Sequence, residues 1–228
     1  EHIEAITQAS ANIKQILLTH THPDHSPGTR LLQDNIDVPV FALITENSKD
    51  QDITFTPERI LIDGEIIANE YYSIEVIHTP GHASNHLCYL LKDEKLLFTG
   101  DHIMDGSTVV IAPPDGSMQD YIDSLAKLKE YDLNKIAPGH GELIDEPYAV
   151  VDWIIKHRFE RESKVIDVLK QHNSGDLNTL VKDIYADVDS MLHPVAKWSL
   201  ESHLIKLMDE GVVARKNDKF SYIGDPSV

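Results

Sequence analysis

The sequence predicts an α+β protein in two parts, a strand-rich region over residues 1–146 and a small, mainly helical domain over 147–228. Three observations lead there. Short apolar runs broken by turn residues fill the chain up to Pro147, and long helical periodicities follow it. Several of the apolar runs end in a proline or glycine turn that carries a histidine or an aspartate. With 228 residues, 41% of them hydrophobic, the chain can bury one sizeable core together with a small appended one.

The elements follow in order. Ile13, Ile16, Leu17 and Leu18 read as a buried strand that runs straight into Thr19-His20-Thr21-His22-Pro23-Asp24-His25, so these histidines belong to a strand end and the loop after it. Further strands are expected at Val38–Ala42, Arg59–Ile62, Tyr72–Ile77, His86–Leu91 and Lys95–Phe98, with Asp63-Gly64 as a hairpin turn. A helix is expected from Ser117, a good N-cap with Asp120 in the first turn. Its Tyr121, Ile122, Leu125 and Leu128 are spaced to cover one sheet face. The second part predicts a long helix from Tyr148 to about His172, a shorter one over Leu177–Tyr185, and a third from near Pro194 that stops at Gly211. Val212-Val213 and Phe220–Ile223 then form a small hairpin across Asn217-Asp218.

Composition narrows the function. A formal net charge of −18 opposes the non-specific grip of most nucleic-acid binders, so a polyanionic substrate would need metals and local patches to hold it. No apolar run has the length of a membrane span and the first residues lack a signal-peptide layout, which leads to the expectation of a soluble, cytoplasmic protein with no membrane partner. The single cysteine, Cys88, lies in an apolar run and reads as core filling.

Chemistry concentrates in four segments. Histidines at i and i+2 on extended chain point to one side, and Asp24 and His25 on the following turn can reach a neighbouring point, so His20, His22, Asp24 and His25 can serve two adjacent metals. A lone histidine is more often a packed or surface residue than a ligand; four metal-competent side chains within six positions reverse that balance. Thr79-Pro80-Gly81-His82 presents His82 from a tight turn after a strand. Leu97-Phe98-Thr99-Gly100-Asp101 places a carboxylate at the mouth of a sheet, and Ala137-Pro138-Gly139-His140-Gly141 repeats the strand-turn-histidine design. His78, His86 and His102 flank these positions, either supporting a ligand or substrate or simply packed or solvated.

The order His-x-His-x-Asp-His, Pro-Gly-His, Gly-Asp and Pro-Gly-His-Gly resembles the signature of the metallo-β-lactamase superfamily. The resemblance implies an αβ/βα sandwich. It also implies a dinuclear site in which His20, His22 and His82 hold one metal, Asp24, His25 and His140 the other, and Asp101 bridges them. Imidazole and carboxylate ligands without a thiolate suit zinc, with iron or manganese as alternatives. Two ions ~3.5–4 Å apart can lower the pKa of a shared water toward ~7, which gives a hydroxide nucleophile without serine or cysteine. Asp24 is then both a ligand and the group that orients that nucleophile and passes a proton to the leaving group. The expected substrate is a small ester, lactone, thioester or β-lactam, or a phosphodiester.

The helix-helix-helix-hairpin tail resembles a winged-helix module. Together with His157-Arg158-Phe159-Glu160-Arg161-Glu162 it is similar to the tail of the β-lactamase-like protein 2 branch, which implies single-stranded RNA as an alternative substrate. The same tail could instead pack on the catalytic region or make a homodimer. Two further readings stand beside hydrolysis: a mononuclear-iron oxygenase using His20, His22 and Asp101 or His82, and a nucleic-acid-binding protein with a structural metal site. In the superfamily several strands precede the first motif, which here begins at residue 20. The expectation is a sandwich lacking its N-terminal strands, either a fragment with an exposed sheet edge or one whose sheet is rebuilt by another chain.

Overall fold

Two β-sheets pack face to face in the computed structural model, which describes residues 2–10, 12–45, 51–52 and 54–224. The first sheet is parallel, in the order β1 (Ile16–Leu17), β2 (Val40–Ala42), β3 (Arg59–Ile60). The second runs β4 (Ile66–Ala68), β5 (Ser73–His78), β6 (Leu87–Leu91), β7 (Leu96–Gly100), β8 (Lys135–Pro138), antiparallel up to β7 and parallel between β7 and β8. Its central strand, β6, is apolar throughout because both of its faces are covered. Along β6, Leu87 and Tyr89 join Val76 and Leu61 between the sheets, whereas Cys88 and Leu90 join Ile77 and Leu97 under the helices.

Those helices are α3 (Met118–Leu128) and the first half of α4 (Pro147–His172). Ser117 caps α3 as expected, accepting from the Asp120 N–H at 3.3 Å. Tyr121, Ile122, Leu125 and Leu128 line the same core as Val151 and Ile154 of α4. On the far side of the first sheet lies a smaller cluster of Leu18, Val40 and Ala42, and two helices, α1 (His2–Ala9) and α2 (Gly28–Gln33), lie against each other.

The tail builds its own core from Val165 and Leu169 of α4, Leu180 and Ile184 of α5 (Leu177–Ile184), Leu200, Leu204 and Leu207 of α6 (His193–Asp209), and Phe220 of the hairpin β9 (Val213–Lys216) and β10 (Lys219–Tyr222). Gly211, at φ +74°, ends α6. The boundary expected at 146/147 coincides with the start of α4, a helix whose first half belongs to one core and second half to the other. No helix among the described residues is long and apolar enough to cross a membrane.

Two elements differ from expectation. Asp63-Gly64 is not a hairpin turn: β3 pairs in parallel with β2, so the chain after it must leave the first sheet and enters the second as β4. Gly64 at φ +76° allows that crossing, and the Asp63 carboxylate holds it by accepting from the His78 N–H and from Lys127 Nζ, each at 2.7 Å. The strand leading into the first motif is also shorter than expected and ends at Leu17. The Leu18 N–H still bonds Phe41 O in the first sheet, but Thr19 O already accepts from the Leu87 N–H in the second. The chain therefore crosses between sheets at Thr19, and every histidine of the motif lies on the loop beyond.

Candidate metal centre

Strands β5, β7 and β8 run in one direction, so the loops after them emerge at one edge of the sandwich, where the loop after Thr19 also arrives. This is the end of a sheet at which α/β proteins commonly place their sites. His22 O accepts from the N–H groups of His25 and Ser26 at 3.0 and 3.2 Å, folding residues 22–26 into a turn that brings Asp24 and His25 back toward His20. Gly81, at φ +141°, lets the loop carrying His82 lie against α3; a Cβ there would collide with the Tyr121 backbone. At the end of β8, Gly139 lies so close to Asp101 that a Cβ would sit 3.0 Å from Oδ1.

All seven sequence-selected residues converge. The ligand atoms of His20, His22 and His82 lie within 4.8 Å of one another, and so do those of Asp24, His25, Asp101 and His140. Asp101 stands between the two groups, with Oδ1 at 3.1 Å from His25 Nε2 and 3.5 Å from His140 Nε2, and Oδ2 at 3.8 Å from His82 Nε2. The first group is the more enclosed, with His20 buried and His22 and His82 half-buried, whereas the second opens outward through the side chains of His140, 48% exposed, and Asp24, 64% exposed.

The electrostatics suit cations. Burial lowers the pKa of His20 and His82, and of His22 against an opposing pull from Asp115 and Asp24, so these rings are neutral and offer lone pairs. His25 is raised instead: burial disfavours its charge, but the Asp101 carboxylate outweighs that. Burial pushes Asp101 up, and the facing histidines more than reverse it. The Nε2 atoms of His20 and His82 are buried without a hydrogen-bond partner, and His25 Nε2 and Asp101 Oδ1 face each other without hydrogen-bonding geometry. Four orphaned polar atoms around one point are costly unless something satisfies them, and a pair of divalent metals would.

The flanking histidines fall outside both groups among the described residues. His86 is wholly buried, with Nδ1 at 2.9 Å from Thr79 Oγ1 and its ring 5.0 Å from that of His20. His102, its pKa pushed down to about 3 by burial, packs against Tyr121 with ring centroids 5.0 Å apart. His78 Nε2 lies 2.9 Å from Ser84 O. Sequence reasoning missed Asp115, whose carboxylate accepts from Ser84 Oγ at 2.5 Å beside the His82 loop, and the Val110 carbonyl, which accepts from His82 Nδ1 at 2.7 Å. Neither lies in a motif.

Comparison with known proteins agrees with this geometry. Residues 2–140 match the metallo-beta-lactamase superfamily and residues 177–221 the beta-lactamase associated winged helix domain. The chain is 31% identical to a beta-lactamase-like protein 2 homolog of Caenorhabditis elegans, over 97% of this chain and 74% of that protein. It is 26% identical to an atrochrysone carboxyl ACP thioesterase of Cryptosporiopsis, over 89% of this chain and 65% of that one. A metallo-beta-lactamase family protein from Thermus thermophilus shares the fold at a TM-score of 0.77 and 20% identity, covering 92% of this chain and 80% of its own. With the sandwich, the histidine group, the adjoining histidine-aspartate group and the helical tail in hand, the chain belongs to the metallo-β-lactamase superfamily and carries its associated winged-helix domain.

Proposed function

We propose that the protein is a dinuclear zinc hydrolase. The observation that carries this reading is the position of Asp101, whose two carboxylate oxygens face different ligand groups. A mononuclear site would leave the four-residue group around Asp24 without purpose, which weighs against the iron oxygenase. His20, His22 and His82 would hold one ion, Asp24, His25 and His140 the other, and Asp101 both. When bound, such a pair supplies a nucleophile at neutral pH and polarises the bond under attack. The chain's own contribution is positional. Buried His20 and nearly enclosed His82 would keep water from one side, and exposed Asp24 would orient the attacking water through a hydrogen bond and carry its proton to the leaving group.

For substrate we favour an acyl compound, with an ester, lactone, thioester or β-lactam as the class. The net charge of −18 and the thioesterase-named relative support it. Single-stranded RNA is the second reading, supported by a likeness to the beta-lactamase-like protein 2 homolog that extends through the tail. Elemental analysis of protein purified without added metal should return about two zinc ions per chain, falling in Asp101→Ala. Asp24→Ala should abolish turnover of whichever substrate a screen of acyl thioesters, lactones and single-stranded RNA identifies. One iron per chain, or full activity in Asp24→Ala, would overturn the proposal.

A further inference from the structure

The ring of His82 is oriented from outside the ligand set. Nδ1 donates to Val110 O at 2.7 Å, which keeps the proton of the neutral ring on Nδ1 and turns Nε2 toward His20 and His22. Val110 itself lies between two anchored neighbours, one held from α4 and one from α6. Arg158, on α4, donates from Nη2 to Val109 O at 2.5 Å, and Ser199, on α6, accepts at Oγ from the Ile111 N–H at 3.2 Å. Val109, Ile111, Arg158 and Ser199 are buried, and His82 and Val110 are half-buried.

A second contact leads to the same place. The Arg158 guanidinium lies 5.1 Å from the Tyr121 ring centroid. Tyr121 packs its backbone against Gly81, next to His82, and donates from its hydroxyl to His102 O at 2.9 Å, next to Asp101. One arginine thus backs both the carbonyl that orients His82 and the residue behind the His82 and Asp101 loops.

We propose that Arg158 and Ser199 are positioning residues for His82. By fixing the backbone at Val109 and Ile111, helix α4 and the winged-helix domain together set the tautomer and aim of a side chain that neither Arg158 nor Ser199 touches. A buried arginine and serine that only joined the two cores would leave that ring unchanged if replaced.

The test uses the full chain with Arg158→Met and Ser199→Ala. In metal-free protein at pH 8, ring nitrogen NMR of His82 should show one tautomer, protonated at Nδ1, in the parent and a mixture in each variant. Zinc affinity of the His20, His22 and His82 site, read by chelator competition, should fall about 10-fold. Arg158→Lys, which keeps a donor, should recover part of both signals. Arg161→Met is the control: this arginine is buried three residues further along α4 but holds Ile184 O and Asp187 within the tail.

Unchanged His82 spectra in folded Ser199→Ala and Arg158→Met would overturn the proposal, and so would an equal change in Arg161→Met. Should Arg158→Met fail to fold, Ser199→Ala decides alone. The zinc measurement rests on the metal-centre reading. A parent protein that binds no zinc would defeat that reading and leave the His82 spectrum to judge this one.

Discussion

His203 shows at single-residue scale how burial sets charge in this molecule. It lies in the tail beside Glu162, whose Oε2 is 3.6 Å from Nδ1, and burial pushes its pKa down to about 4. An unfolded histidine titrates near ~6.5, so between those values the unfolded chain binds the extra proton and the folded one does not. The stabilisation is complete above the unfolded value and is lost as pH falls toward the folded one, by an amount on the order of 3 kcal/mol. Urea unfolding of His203→Gln should therefore show a shallower loss between pH 6.5 and 4 than the parent. Identical slopes would assign the acid sensitivity to other groups, such as the histidines of the candidate metal centre. Those candidates could be picked out in the sequence because metal binding accepts few residue types and these fall in short runs such as Pro80-Gly81-His82. The Val110 carbonyl was not readable, since any residue offers one and its partner is 28 positions away.

At the scale of elements, glycines matter more than caps. Replacing Ser117 by Ala removes one cap bond and should cost about 1 kcal/mol with the site intact. Gly81→Ala faces both a φ of +141° and the Tyr121 backbone, so it should lower the melting temperature further and reduce zinc binding as well. A Gly81→Ala protein melting like Ser117→Ala would mean that α3 can retreat from the loop. Strands β5, β6 and β7 were legible because each carries a short run of apolar residues bounded by turns. Helix α1 and six-residue α2 were not, since they bury little; Leu32 of α2 is buried while its neighbour Leu31 is exposed. β4 escaped for a related reason: it is three residues long and only Ile67 points inward. Asp63-Gly64 was legible as a turn but not as a crossing, because strand direction depends on a partner that local sequence does not name.

For the molecule as a whole, α4 is the member that both cores share. Residues 1–146 alone would lack Val151 and Ile154 and expose the core around Leu125 and Leu128, so that fragment should aggregate or remain unfolded, as dichroism and gel filtration would reveal. A soluble, zinc-binding fragment would mean that the first core closes without α4. Cys88 offers a way to time such openings. It is the sole thiol, fully enclosed between β5, β7 and α3, with Sγ 3.3 Å from Thr79 Oγ1 and its pKa pushed up to about 12 by burial. An alkylating reagent can reach it only when the sheet parts from its helices, so the labelling rate is a clock for that event. Because Thr79 precedes the His82 turn by three positions, zinc that braces the loops should slow the clock, and chelation should speed it.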